Sequence, residues 1–236
     1  MSLYLLVHGA CHGAWCWDNV SHLLRDLGHD VIAPDLPAHG NDRTPIAGAT
    51  LDAYVDRLAD LLNVRNESAI VVGHSMGGIC ATGVAERLPE KIKALVYLTA
   101  YAPIDGDSVI SLLAADSTST MGVSVEPVHG GAALVVRDDQ VIPMFYNDCD
   151  PGDAEWAKSM LVPEPATPMA QPVRLTARSG VIPRSYIGCS SDVVISLAYQ
   201  RQLAARAGCV WQTEIDSGHS PFISRPDVLA RCLVDR

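Results

Sequence analysis

No stretch of this 236-residue chain approaches the roughly 18 consecutive apolar residues of a membrane helix, so a bilayer span is excluded. The opening MSLYLLVHG has an apolar core of only Leu3 to Val7 and no basic flank before it. That is too short for the roughly 7–15 apolar residues of a secretory signal, and no export signal is expected. Lysine and arginine form no cluster, and a net charge of −10 repels phosphate. Nucleic acid and anionic membrane are therefore disfavoured as partners. Seven cysteines, at 11, 16, 80, 149, 189, 209 and 232, are odd in number and lack paired short spacings. This argues against a disulfide framework and a zinc knuckle, and it fits a reducing, cytoplasmic setting. Internal repeats and low-complexity tracts are absent too. The partner expected is a small molecule, with no cofactor or metal and with a homodimer left open.

What the chain does contain is an alternation of apolar runs with segments of helical period, the pattern of a parallel sheet covered by helices on both faces. Six strands are predicted, at Leu3 to Val7, Asp30 to Ala33, Ala69 to Val72, Ala94 to Leu98, Ser185 to Gly188 and Val210 to Ile215. Helices are predicted at Trp17 to Asp26, Leu51 to Asn63 behind Thr50 as N-cap, Met76 to Leu88, Ser196 to Ala207 and Asp227 to Val234. The length suits one core, hence a single domain over 1–236. Between Pro103 and Pro183 the pattern breaks, with prolines at 127, 143, 151, 163, 165, 168 and 172. This segment, about 104–182, reads as an insertion folded over the sheet, with helical content in Pro151 to Leu161.

Gly73-His74-Ser75-Met76-Gly77 stands where a buried strand turns into a helix. A Gly-X-Ser-X-Gly motif in that setting places the serine on a tight, strained turn that pushes its hydroxyl out of the sheet, beside unpaired helix-start N–H groups. A helix N-cap serine is the plainer alternative, and a phosphate loop is disfavoured because no Gly-Lys-Ser/Thr follows. Serine needs a base and an acid to become a nucleophile, in the chain order Ser, Asp or Glu, His. Only His129 and His219 follow Ser75; His129 lies in the irregular insertion, whereas His219 follows the last strand in DSGHSPF. His219 is the choice. Asp192, in GCSSD after the fifth strand, is the acid on the same sheet edge, with Asp105 and Asp107 as fallback and Asp216 read as a turn cap. The N–H groups of Ala10, in HGACHGAW after the first strand, and of Met76 are the expected oxyanion donors. His12 is read as a hydrogen-bonded structural residue. Met144, Phe145, Tyr146, Trp156, Met160 and Leu161 either line an apolar substrate pocket or form the insertion's own core.

LLVHGACHGAWCW, GHSMGG, YIGCSSD and DSGHSPF resemble the α/β-hydrolase superfamily, in the branch of plant methylesterases, hydroxynitrile lyases and related bacterial esterases, including pyrethroid-hydrolysing ones. The resemblance runs from residue 3 to about 102 and resumes near 183; the insertion resembles the family's cap loosely, with FYNDCDPGDAEWA closer to the bacterial members. It implies an α/β-hydrolase fold, a mostly parallel six-stranded sheet with an inserted cap, and a Ser75, Asp192, His219 triad. The lyases of this branch carry threonine where Gly9 stands and lysine where Ser220 stands. The expected function is therefore a serine carboxylesterase acting on a small to medium apolar ester (methyl, short-acyl or aryl) through an acyl-enzyme. A lyase acting on cyanohydrins and a non-catalytic small-molecule receptor are the alternatives.

Overall fold

Every residue of Leu3–Val7 and of Ala69–Ser75 is buried, as strands inside a parallel sheet covered on both faces must be. The structure, a computed structural model, describes residues 1–119 and 121–235. In chain order it runs β1 (Leu3–Val7), α1 (Asp18–Asp26), β2 (Asp30–Ile32), α2 (Leu51–Asn63), β3 (Ala69–Ser75), α3 (Gly77–Arg87) and β4 (Ile92–Ala100). Then come α4 (Val109–Ala115), α5 (Met121–Ser124), β5 (Val125–Val128), β6 (Ala133–Val136), α6 (Val141–Phe145), α7 (Pro151–Ser159), β7 (Glu164–Pro165) and α8 (Ala166–Ala170). The chain closes with β8 (Arg184–Cys189), α9 (Leu197–Arg206), β9 (Val210–Ile215), α10 (Pro221–Ser224) and α11 (Pro226–Val234).

Six strands form one sheet in the order β2-β1-β3-β4-β8-β9, every pairing parallel. All six predicted strands are in it. Their ends move: β3 continues past Val72 to Ser75, and β4 starts at Ile92 instead of Ala94. From β1 the chain steps outward to β2, then returns to lay β3 on the other side of β1, so the strand order reverses between β1 and β3. A crevice opens at the carboxyl ends of strands at such a reversal. The loop after β1 and the end of β3 both lie at that crevice.

The segment between β4 and β8 carries α4 to α8 and an antiparallel sheet, β5-β6-β7. Helix α7 occupies most of the predicted Pro151 to Leu161. The small sheet is an addition to the sequence reading, which expects only helical content there. Its strands are too short to leave an alternation, and Pro127 and Pro165 sit within the two edge strands, where a missing N–H is tolerated. Among the described residues no helix is long and apolar enough to cross a membrane. All seven cysteines are free.

Thr50 caps α2 as predicted, its hydroxyl accepting the Ala53 N–H at 3.1 Å. Helix α3 instead begins against the end of β1: a Cβ on Gly77 would lie 2.6 Å from the carbonyl oxygens of both Val7 and His8. Neither backbone can yield cheaply. Gly77→Ala is therefore expected to destabilise the fold by about 1–3 kcal/mol in urea denaturation, with an unchanged midpoint arguing against this close approach.

Candidate active site

At the end of β3 the backbone of Ser75 adopts φ 52°, in the left-handed region that residues with a Cβ avoid. Such a conformation costs on the order of 1–3 kcal/mol and persists only where surrounding contacts impose it. Here Tyr101 donates its N–H to the Ser75 carbonyl at 3.1 Å, and the chain turns at Met76 into α3. The loop after β1 passes directly over the serine, because a Cβ on Gly9 would lie 2.8 Å from Ser75 Cβ and from His74 Nδ1.

His219, in the loop after β9, donates its Nδ1–H to Asp192 Oδ2 at 2.8 Å, and both side chains are buried. Asp192 follows β8. Its Oδ1 accepts the N–H groups of Val194 (2.7 Å) and Ile195 (3.2 Å), and its Oδ2 also accepts the Thr99 hydroxyl. Together these donors fix the orientation of the carboxyl. A carboxylate on Nδ1 selects the tautomer whose Nε2 is a free acceptor. His74, the residue before Ser75, donates its Nε2–H to the His219 carbonyl at 2.8 Å and packs on the imidazole with ring centroids 4.7 Å apart. Phe145 stacks on that imidazole at 5.7 Å. Asp192 and His219 are thus joined directly, with Ser75 beside them through His74. Among the described residues no hydrogen bond links Ser75 Oγ to His219 Nε2, a contact that in apo sites often tightens only around substrate. Of the other acids weighed, Asp216 accepts from Ser190, Asp105 from the Leu175 N–H, and Asp107 pairs with Arg206.

The backbone of the loop after β1 is held group by group. His8 donates Nδ1–H to the Gly9 carbonyl at 2.8 Å while its Nε2 accepts the Leu36 N–H at 3.1 Å. His12 does the same one step on, donating to the Ala10 carbonyl at 2.8 Å and accepting the Tyr146 hydroxyl at 2.9 Å. Cys11 donates its N–H to Glu164 at 2.8 Å. The N–H groups of Ala10 and Met76 have no acceptor among the described residues. Burial holds both imidazoles neutral, pushing His8 well down and His12 to about 3. Among the described residues no cluster of histidine, cysteine, aspartate and glutamate is arranged to hold a metal ion.

Beside Ala10 lies an apolar cavity walled by Cys11, Leu134, Val136, Phe145 and Met169. Of the residues singled out in the sequence, Phe145 lines it. Met144 is buried in the core, Trp156 is 46% exposed and packs edge-on against Trp15, and Met160 borders a separate hollow near Asp35. Thr99 and Glu164 were missed. A threonine in the apolar run at the carboxyl end of a buried strand, in LVYLTAYAP, could have pointed to Thr99; a carboxylate between two prolines of the insertion carries no such signal.

Residues 4–232 match the model of the alpha/beta hydrolase family. Methylesterase 2 of Arabidopsis thaliana is 31% identical over 96% of this chain and 92% of its own length. The pyrethroid hydrolase of Sphingobium wenxiniae is 30% identical over 98% of this chain and 86% of its own. The crystal structure of a pyrethroid hydrolase from Sphingobium faniae superposes with a TM-score of 0.90 at 28% identity, covering 99% of this chain and 96% of that one.

The buried imidazoles set the response to acid. Burial lowers His8, His12 and His74 below the ordinary 6.5, so each is neutral in the fold and takes up a proton on unfolding in acid. Their contribution is complete above pH 6.5 and is lost as pH falls below it, by up to about 1.4 kcal/mol per pH unit for each. Urea denaturation followed with pH is expected to show an uptake of about three protons in mild acid. An uptake below about one contradicts the neutral assignment.

Proposed function

The chain belongs to the alpha/beta hydrolase family, and from that premise we propose that it is a serine carboxylesterase with Ser75 as nucleophile. The observation that carries this reading is the buried Asp192 to His219 hydrogen bond at 2.8 Å, set beside a serine in a strained turn. His219 Nε2 takes the Ser75 proton as Oγ attacks the ester carbonyl, and Asp192 stabilises the imidazolium that forms. The developing oxyanion is received by the unengaged N–H groups of Ala10 and Met76, each worth on the order of 3 kcal/mol in such a role. His219 then protonates the leaving alcohol, and water brought in by the same imidazole cleaves the acyl-enzyme.

Residues 104–182 act as a cap in this reading, and the apolar wall of Leu134, Val136, Phe145 and Met169 favours a small to medium apolar ester: methyl, short-acyl or aryl. The esterases among the relatives support the reaction class. Gly9 and Ser220, which stand where the lyases of this branch carry threonine and lysine, favour hydrolysis over cyanohydrin cleavage. Seven free cysteines suit a cytoplasmic setting.

Ser75→Ala is expected to fold normally and to lose about 10⁴-fold or more of its activity on p-nitrophenyl acetate. A fluorophosphonate should label Ser75 in the wild type. Hydrolysis retained by Ser75→Ala removes the serine from the reaction, and cyanide release from mandelonitrile at a rate rivalling ester cleavage would replace the esterase with a lyase.

A further inference from the structure

Glu164 is 2% exposed, and although it lies in the insertion, the groups its carboxylate bonds are all more than 100 residues away along the chain. Burying a carboxylate costs several kcal/mol unless charge and hydrogen bonds compensate. Its Oε2 accepts the Cys11 N–H at 2.8 Å and the His39 Nε2–H at 2.7 Å, and its Oε1 accepts the Tyr54 hydroxyl at a long 3.5 Å. His39 also donates from Nδ1 to the Pro37 carbonyl at 3.0 Å, so both ring nitrogens carry hydrogen and the ring is an imidazolium. Burial alone would lower its pKa; the Glu164 charge and hydrogen bond, with the Pro37 carbonyl and Asp35, raise it above the ordinary value. The pair is buried.

Apolar residues of the same shape would pack this space at no desolvation cost. What the ion pair supplies in addition is direction, because a charge-assisted hydrogen bond fixes the orientation of the peptide that makes it. That peptide joins Ala10 to Cys11, and its other end, the Ala10 carbonyl, is held by His12 at 2.8 Å. Cys11 has φ 63°, a left-handed conformation it would leave if released. The insertion grips it a second time, through the Val162 N–H on the Cys11 carbonyl at 3.0 Å. Immediately before this clamped turn stands the Ala10 N–H, with no acceptor of its own.

Resting on the serine-esterase reading, we infer that Glu164, paired with His39, is a positioning residue that holds the Ala10 N–H in line with the developing oxyanion. Glu164 is paired in register with Leu134, which lines the apolar cavity, so one strand pair serves both the substrate wall and the oxyanion site.

The test compares p-nitrophenyl acetate with its thionoester, whose C=S becomes a thiolate-like anion that backbone N–H groups stabilise poorly. Glu164→Ala is expected to lower kcat/KM on the oxygen ester by about 10²-fold, mainly in kcat, and on the thionoester far less, so the oxygen-to-sulfur rate ratio falls about tenfold or more. Glu164→Gln, whose amide oxygen can still accept the Cys11 N–H, should restore most of the ratio. His39→Gln, which removes the cation, should shift the ratio in the same direction as Glu164→Ala and covers the case in which the alanine variant fails to fold. A ratio unmoved in whichever of Glu164→Ala and His39→Gln folds overturns the positioning role. Run in parallel, Ser75→Ala separates the two readings: if it is inactive while the ratio stands still, only the role of Glu164 is lost, and if it stays active, the serine reading itself has failed.

Discussion

The left-handed backbone of Ser75 depends on three backbones lying closer together than side chains allow. Strand β1 ends against the start of α3 at Gly77, and the loop beyond β1 crosses the serine at Gly9, each with space for a hydrogen and nothing more. This approach brings the N–H of Met76 and the loop bearing Ala10 to one corner of the molecule. The strain is maintained from the sheet side as well, where a bulge between β3 and β4 lets Tyr101 bond the Ser75 carbonyl and leaves Thr99, itself at φ 34°, with its hydroxyl on Asp192. Two strained residues on adjacent strands therefore serve the same group of side chains.

Around that corner the histidines show how one residue type is set to different tasks by its neighbours. His8 and His12 each face one acceptor and one donor and are neutral tethers for backbone carbonyls. His39 faces two acceptors and is a cation. His74 spends its donor on the carbonyl of His219, and its other nitrogen is buried without a partner. His219 alone combines a carboxylate on one nitrogen with an acceptor left over on the other, which is what a proton-transfer base requires. Burial sharpens these distinctions, because hydrogen bonds and charges act more strongly in a low-dielectric interior.

The sheet was legible in the sequence because its buried strands write continuous apolar runs, LYLLV and AIVV among them, and its helices write caps and glycine stops. Ser75, Asp192 and His219 were legible for a related reason: a parallel sheet delivers its strand ends to one rim, so residues just past those ends converge whatever their separation in sequence. The insertion was not. Its strands have only two to four residues, its prolines hide the ladder, and its contacts with the rest of the chain run through single residues such as Glu164 and Val162, which no periodicity marks. The apolar cavity beside Ala10 was hidden for the same cause, since bulky residues at Trp156 and Met160 stand out in sequence while its lining of Leu134, Val136 and Met169 does not.

An insertion between two strands of a sheet is usually regarded as an interchangeable module, free to vary in length and composition while the scaffold beneath stays fixed. The grip of Val162 and Glu164 on Cys11 removes that freedom here. Replacing the segment wholesale would unfasten a turn belonging to the scaffold; under the esterase reading proposed above, the substrate range would be altered by changing the wall at Leu134 or Met169 within the existing segment, not by transplanting another one.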